Sequence, residues 1–492
     1  MRFSKIIGVF ASAVLAALLT VSASATEYLF KLREDAALLA DDDAFLMTEE
    51  CFDDDSALAR MLGVYTTDDI LIIEKYRQFG LLEYYEENAP AYLLEMPGTN
   101  EYMTSLVYGY VPIGESYAQL NVDSFWKLGL SGKEIIVGVI DSGANEHSAL
   151  AGKLLPGYNT YDKNYNTADG VYHGTMVSGL IAGNGTSYMG TAYNAKIVPI
   201  KAFNDKGSGN TGTMANGILE AVKLGCDVIN MSCGSLVGSL DRNTEDTLRD
   251  ATEYALKKGV IIVAAAGNVN GEKYGTATVG TKDSIMYPAA YDGVISVGNI
   301  DRYGNLSSLS IENDYVDVVA PGKYITGLSN TNPSGYKGAS GTSFASPIVA
   351  GVVACMLEAN PNLTPAETER ILQQTATDLG NAGKDFSYGY GKVNCTAIAS
   401  RLLDGKIYRS NVVTYKNTHN IAIRNGLDVT YNSKYFLGTY NKNKMIGIKS
   451  GVITLGKGDR TVISTGVNGT HQKFFEVYGN GLTSLHYAAK YN

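Results

Sequence analysis

The sequence predicts an α/β protein: a three-layer domain with a mostly parallel sheet, preceded by a small α+β unit and followed by a small β domain. Three observations lead there. From about 116 to 404, short apolar runs bounded by turn residues alternate with amphipathic stretches, the pattern of βαβ units whose sheet is covered on both faces. Residues 26–115 interleave acid runs with apolar segments. Residues 405–492 are rich in Asn, Gly, Tyr, Thr and Val and carry short alternating runs.

At 492 residues the chain is too long for one ordinary domain. Its 45% hydrophobic and 18% charged residues are those of a globular protein and exclude a disordered or fibrous one. Residues 1–25 read as a signal peptide, with a basic start at Arg2 and Lys5, an apolar core from Ile6 to Val21, and the small residues Ala23-Ser24-Ala25. Cleavage after Ala25 and export are expected, to a secreted or surface-associated location. No Cys follows the core to carry a lipid, and no later run reads as long enough to cross a membrane. Residues 26–115 hold twenty acidic and five basic residues, including Asp41-Asp42-Asp43 and Asp53-Asp54-Asp55. Within them Asp69–Ile73 and Ala91–Glu95 read as strands.

In 116–404, Glu134–Ile140, Ala195–Phe203, Asp227–Met231, Val260–Ala266 and Val294–Ile300 read as buried strands. Thr211–Leu224 and Thr247–Lys258 read as helices. In 405–492, Val452–Leu455 and Thr461–Ser464 alternate, with turns at Asn425-Gly426 and Asn468-Gly469. This last region carries twelve Lys/Arg against three Asp/Glu, interspersed with eight tyrosines, inside a chain of formal net charge −10. A local basic surface attracts anionic polymers. Lysines that protect edge strands, or docking onto the acidic central domain, compete with that reading. Nothing points to a specific nucleic acid.

Three segments carry chemistry. Gly341-Thr342-Ser343-Phe344-Ala345-Ser346-Pro347 leads into an apolar run, so Ser343 falls in the first turn of a buried helix, where N–H groups and the positive dipole end can hold an oxyanion. Asp141 ends the strand 134–140, at the edge where open α/β sheets place their sites. His173 opens a helix with small residues at 174, 178, 179, 182 and 183. Taken singly, these read as an N-cap, a turn aspartate and a core histidine. Of the other histidines, His147 shares a loop with Asp141, and His419, His471 and His486 lie in the last region. His173 is therefore the candidate base that activates a hydroxyl, with a carboxylate to fix its tautomer.

The order Asp141, His173, Ser343 and these motifs resemble the subtilisin-like serine proteases, the subtilases. Val260–Asn268 is similar to the strand that ends in the family's oxyanion-hole asparagine, and the resemblance covers roughly Leu120 to Asn394. It implies a subtilisin-like fold and a secreted serine endopeptidase acting on protein or peptide substrates. Ser343 would be the nucleophile, His173 the base, Asp141 its orienting carboxylate and Asn268 the oxyanion donor. Ser208 and Gly209, and Ser232, Cys233 and Gly234, match two segments that hold substrate backbone as an added strand. Met286, where subtilisin has Gly, would part-fill the main specificity pocket. Residues 26–115 match a propeptide that inhibits the precursor, with its end left open. The competing reading is a surface-attachment or binding protein on a subtilase scaffold.

Departures are Met176 where a second His is common and Phe344 where Met is common. Ala149 stands where subtilisins have a calcium-ligating Asp, and the loop Asn184–Gly190 is short. The chemistry needs no cofactor; calcium would serve stability only, and the family's tight site is expected to be absent. Five cysteines, at 51, 226, 233, 355 and 395, show no zinc spacing and read as buried thiols.

Overall fold

A computed structural model of the chain describes residues 27–32, 57–68, 70–78, 81–93, 113–185, 188–236, 246–269, 280–404, 407–409, 413–415, 418–425, 431–441, 444–456, 460–465, 471–478 and 487–490. The signal peptide expected over residues 1–25, the two Asp triplets, Cys51 and the turn expected at Asn468-Gly469 lie outside these residues.

The N-terminal unit comprises β1 (Tyr28–Leu32), α1 (Ala57–Leu62), β2 (Val64–Thr67), α2 (Ile70–Gln78) and β3 (Leu82–Glu87). Its strands form an antiparallel sheet in the order β2-β1-β3 around Phe30, Ile73, Tyr76 and Leu81. Of the strand expected over 69–73, residues 70–73 are instead the first turn of α2, and Asp69 lies outside the described residues. Ile73 and Tyr76, three residues apart, are buried, while Ile70 is 38% exposed. The apolar face thus repeats at helical spacing, which four consecutive apolar residues conceal. A fourth strand, β4 (Pro90–Leu93), leaves this unit and joins the next one.

The central domain runs through α3 (Ile113–Leu120), α4 (Asp123–Lys127), β5 (Ile136–Asp141), β6 (Tyr158–Asn159), α5 (His173–Ala182), β7 (Asn184–Gly185), β8 (Tyr188–Met189), β9 (Lys196–Lys201), β10 (Ser208–Asn210), α6 (Thr211–Lys223), β11 (Val228–Met231) and β12 (Cys233–Leu236). It continues through α7 (Asp246–Lys257), β13 (Ile261–Ala265), β14 (Met286–Tyr287), β15 (Ile295–Ile300), β16 (Val318–Pro321), β17 (Ile325–Leu328), β18 (Tyr336–Ala339), α8 (Thr342–Ala359), α9 (Pro365–Thr375) and α10 (Cys395–Leu403). Seven strands form a parallel sheet in the order β16-β15-β13-β11-β5-β9-β6.

Alternation along each strand makes the layers. Val137, Val139, Ile261 and Val263 pack with α5, α8 and α10 on one face. Ile140, Ile262 and Ala264 pack with α6 and α7 on the other. Strands apolar on both faces read as continuous runs, which is why they are visible in sequence. The sheet order reverses between β5 and β11, so a crevice opens beyond their carboxyl ends. Helix α8 is apolar enough over its 18 residues to pass for a membrane span by length and composition, contrary to the expectation that no such run exists; here 89% of it is buried in the core.

The last region forms two sheets. One pairs β21 (Thr418–Asn425) with β19 (Ile407–Arg409), β20 (Val413–Tyr415) and β24 (Arg460–Thr465), and the other runs β23 (Lys444–Leu455), β22 (Tyr431–Asn441), β25 (His471–Tyr478) and β26 (Tyr487–Lys490), all antiparallel. Ile453 and Leu455 are buried while Val452 is exposed, the period-two pattern of a half-buried strand.

Candidate active site

Asp141 is the last residue of β5 and fully buried. Its two carboxylate oxygens each lie 2.8 Å from Nδ1 of His173, the first residue of α5. The Asp141 Oδ1 also accepts the Ser142 N–H at 2.6 Å. A carboxylate that accepts Nδ1–H fixes the imidazole tautomer and makes Nε2 the basic nitrogen. The two segments approach closely. A Cβ on Gly174 would lie 2.0 Å from the Gly143 carbonyl oxygen and 3.1 Å from Asp141 Oδ1, so a side chain there would push the histidine helix off the aspartate.

Ser343 lies in the first turn of α8, behind Gly341, whose φ of 155° suits glycine. Its hydroxyl donates to the Ser232 carbonyl oxygen at 3.0 Å, and the Ser232 hydroxyl donates back to the Ser343 carbonyl oxygen at 2.8 Å. Asn230, on β11, donates to Ser232 Oγ at 3.0 Å and accepts from Ser346 Oγ at 2.8 Å, which ties the α8 turn to the sheet edge. The rings of His173 and Phe344 are 5.4 Å apart.

Asn268 follows β13. Its Oδ1 accepts both the backbone N–H and the hydroxyl of Thr342, each at 3.0 Å. That orientation leaves its Nδ2 a buried donor with no hydrogen-bond partner among the described residues, beside the positive end of α8. A buried unpaired donor is costly unless something negative arrives.

The chain's own segment lies across this crevice. β4 pairs antiparallel with β10, Gly209 opposite Ala91 and Ser208 opposite Tyr92, and with β12, Cys233 opposite Leu93 and Gly234 opposite Tyr92. Met286 pairs with Leu236 and is 3% exposed. A Cβ on Gly234 would lie 2.7 Å from Met286 Cγ, and one on Gly267 would lie 3.3 Å from its Cε. The structure thus gathers Asp141, His173, Ser343, Asn268, Ser232 and the two flanking strands at one edge of the sheet. The Cys233 thiol, pushed well above its ordinary pKa by burial and then by Asp141, stays neutral. His147 is set apart: its Nδ1 accepts the Ala149 N–H at 3.1 Å, and its Nε2 faces the Gly335 carbonyl at 3.0 Å. Sequence reasoning missed Asn230, Ser346 and the buried Asp169. The last could have been found as a capping carboxylate before the His173 helix.

A model of the subtilase family, Peptidase_S8, matches residues 132–391. The chain belongs to the subtilase family. Subtilisin DY of Bacillus licheniformis is 38% identical over 286 residues, which cover 57% of this chain and 96% of that protein. The minor extracellular protease Epr of Bacillus subtilis (strain 168) is 34% identical over 285 residues, 57% of this chain and 41% of that protein. Among solved structures, MycP1 with its N-terminal propeptide removed superposes with a TM-score of 0.51 at 27% identity, over 58% of this chain and 96% of the other. This subtilase is a subtilisin-like serine endopeptidase, and its three-layer α/β domain is the subtilisin-like fold expected from sequence.

Proposed function

We propose that the chain is a secreted endopeptidase precursor whose N-terminal unit occupies its own substrate crevice. The observation that carries this reading is β4, held as the middle strand between β10 and β12 beside Ser343. A substrate would replace β4, bound by main-chain hydrogen bonds to Ser208, Gly209, Cys233 and Gly234. Ser343 Oγ attacks the scissile carbonyl and its proton passes to His173 Nε2. Asp141 holds the imidazolium that forms. Asn268 Nδ2 and the Ser343 N–H take the oxyanion. Collapse transfers the proton to the leaving amine, and water then hydrolyses the acyl-enzyme.

The register of β4 supports a position for the maturation cut. Leu93, the last described residue of β4, is opposite Cys233, and the neighbouring Ser232 carbonyl oxygen accepts the Ser343 hydroxyl. The cut is proposed at Leu94–Glu95. Mass spectrometry of the purified wild type should find a mature chain starting at Glu95, and Ser343→Ala should keep residues 26–94 attached. A Ser343→Ala protein that hydrolyses peptides at a comparable rate overturns the mechanism. Export rests on residues 1–25 and on the extracellular relative named above; the N-terminal sequence of protein recovered from culture medium tests it.

No cofactor enters the chemistry proposed. The residues do not fit the family's tight calcium site: Ala149 is buried and offers no carboxylate, and β7 and β8 pair antiparallel, Asn184 with Met189 and Gly185 with Tyr188. The basic last region is proposed to attach weakly to an anionic surface polymer. Co-sedimentation of the full chain with such a polymer should be strong at low salt and lost at high salt, and to a lesser degree in a chain ending at 404. Binding unchanged by salt discards the electrostatic version.

A further inference from the structure

A second carboxylate stands one hydroxyl away from Asp141. Asp169, four residues before His173, is 2% exposed. Its Oδ1 accepts the Ser142 hydroxyl at 2.9 Å and the N–H groups of Val171 and Tyr172 at 2.9 and 2.8 Å. Its Oδ2 accepts the N–H and the hydroxyl of Thr175 at 2.9 and 2.6 Å. These five bonds tie together both sides of His173. Tyr172 holds a φ of 103°, a left-handed conformation that a tyrosine rarely adopts. The Asp169 carboxylate accepts the N–H of that residue, and so holds the turn that delivers the imidazole.

Ser142 is the link. Its Oγ accepts the Gly174 N–H at 3.1 Å and lies 2.9 Å from Asp169 Oδ1 and 3.2 Å from Asp141 Oδ1. The hydroxyl has one proton for two carboxylates, and the shorter contact goes to Asp169. Asp141 then keeps its lone pairs for His173 and for the Ser142 N–H.

We propose that Asp169 is a positioning residue for the triad: through Ser142 it fixes Asp141 against His173, and its negative charge favours the imidazolium formed during catalysis. This rests on the triad reading above. Among the described residues, other charged or titratable groups around the pair come from other elements. Lys337, on β18, lies 4.0 Å from the ring centroid of Tyr172. Lys201, at the end of β9, is 4% exposed and donates to the Ser142 carbonyl oxygen at 2.7 Å and to Asp205 at 2.8 Å. Cys233, on β12, is a neutral thiol. Phe344, from α8, brings no charge. The sign follows from removing one negative charge: in Asp169→Asn the imidazolium is less favoured, the His173 pKa falls, and the base form persists to lower pH.

The test uses the matured enzyme, with rates normalised to sites titrated by a serine-directed fluorophosphonate. Stoichiometric labelling shows that the Ser343 reading holds independently of this inference. Asp169→Asn is expected to lower kcat about 10- to 100-fold with KM within twofold, and to move the acidic limb of the kcat/KM profile down by about half a pH unit. Asp169→Glu keeps the charge but not the five-bond geometry, so its kcat should fall while the limb stays. The double variant Ser142→Ala/Asp169→Asn should be no slower than the slower single variant. If Asp169→Asn does not fold, Ser142→Ala carries the test, with kcat expected to fall at least fivefold at unchanged KM. Asp169→Asn, or in its absence Ser142→Ala, with kcat within twofold of wild type overturns the proposal, whatever happens to Tm. So does a full drop in kcat with an unmoved acidic limb in Asp169→Asn.

Discussion

The N-terminal unit grips the ends of two helices, and under the proposed propeptide role that grip sets how tightly it inhibits. Asn88 Oδ1 accepts the Gly212 N–H at 2.8 Å and the Thr211 hydroxyl at 3.2 Å in the first turn of α6. Glu86 Oε1, 2% exposed, accepts the Thr247 N–H at 3.2 Å in the first turn of α7. Each is a helix cap supplied by a different part of the chain. A cap is worth about 1 kcal/mol, and a carboxylate at the positive end of a helix adds about 0.5 kcal/mol. Replacing both residues by Ala should therefore weaken association by about 2.5 kcal/mol, or about 70-fold in Ki. The assay titrates mature enzyme with segment 26–94 and with its Glu86→Ala/Asn88→Ala form while following hydrolysis of a peptide substrate. Both residues lie outside the Phe30 core of the unit, so circular dichroism of the two segments should agree. A double-variant Ki within threefold of the parent refutes the reasoning, because the strand pairing of β4 would then carry the affinity alone.

Three further outcomes follow from the site and its surroundings. Asn268→Ala removes the unpaired Nδ2 donor and should lower kcat by about 10²–10³ at nearly constant KM, the range known for this position's role in a subtilisin; a loss under threefold contradicts the oxyanion assignment. Met286→Gly should raise kcat/KM for Phe relative to Ala on the acyl side of the cut by about tenfold, since Met286 lies against Gly234 and Gly267; a wild-type preference for Arg or Lys there refutes it. Burial, and then the charge of Asp317, push the Glu369 carboxyl up to about 6. A raised carboxyl pKa means that stability present below the ordinary value near 4.5 is lost as pH rises through 6. Glu369→Gln in the Ser343→Ala background should then raise Tm by about 1–2 °C at pH 7.5, a figure kept small for a half-exposed group, and give no gain at pH 4. An equal gain at both pH values rules out the carboxyl as its source.

The parallel strands and the positions of Asp141, His173 and Ser343 were legible because their signals are local. Val137 to Ile140 is apolar on both faces wherever it folds, and a residue that ends such a run stands at the sheet edge. A small-residue helix behind His173 and a glycine before Ser343 are equally local signs. The helix α2 was misread because Ile70–Ile73 offers no polar residue to reveal its period. Only the tertiary structure decided that β4 would lie between β10 and β12, that Met286 would close on Gly234 and Gly267, and that Asp169 would reach Asp141 through Ser142. Periodicity reports which face of an element avoids water, and it is written in residues two to four apart. Which strand enters a crevice, and which buried donor meets which carboxylate, depends on contacts between segments far apart in the chain, whose geometry exists only once the sheet has assembled.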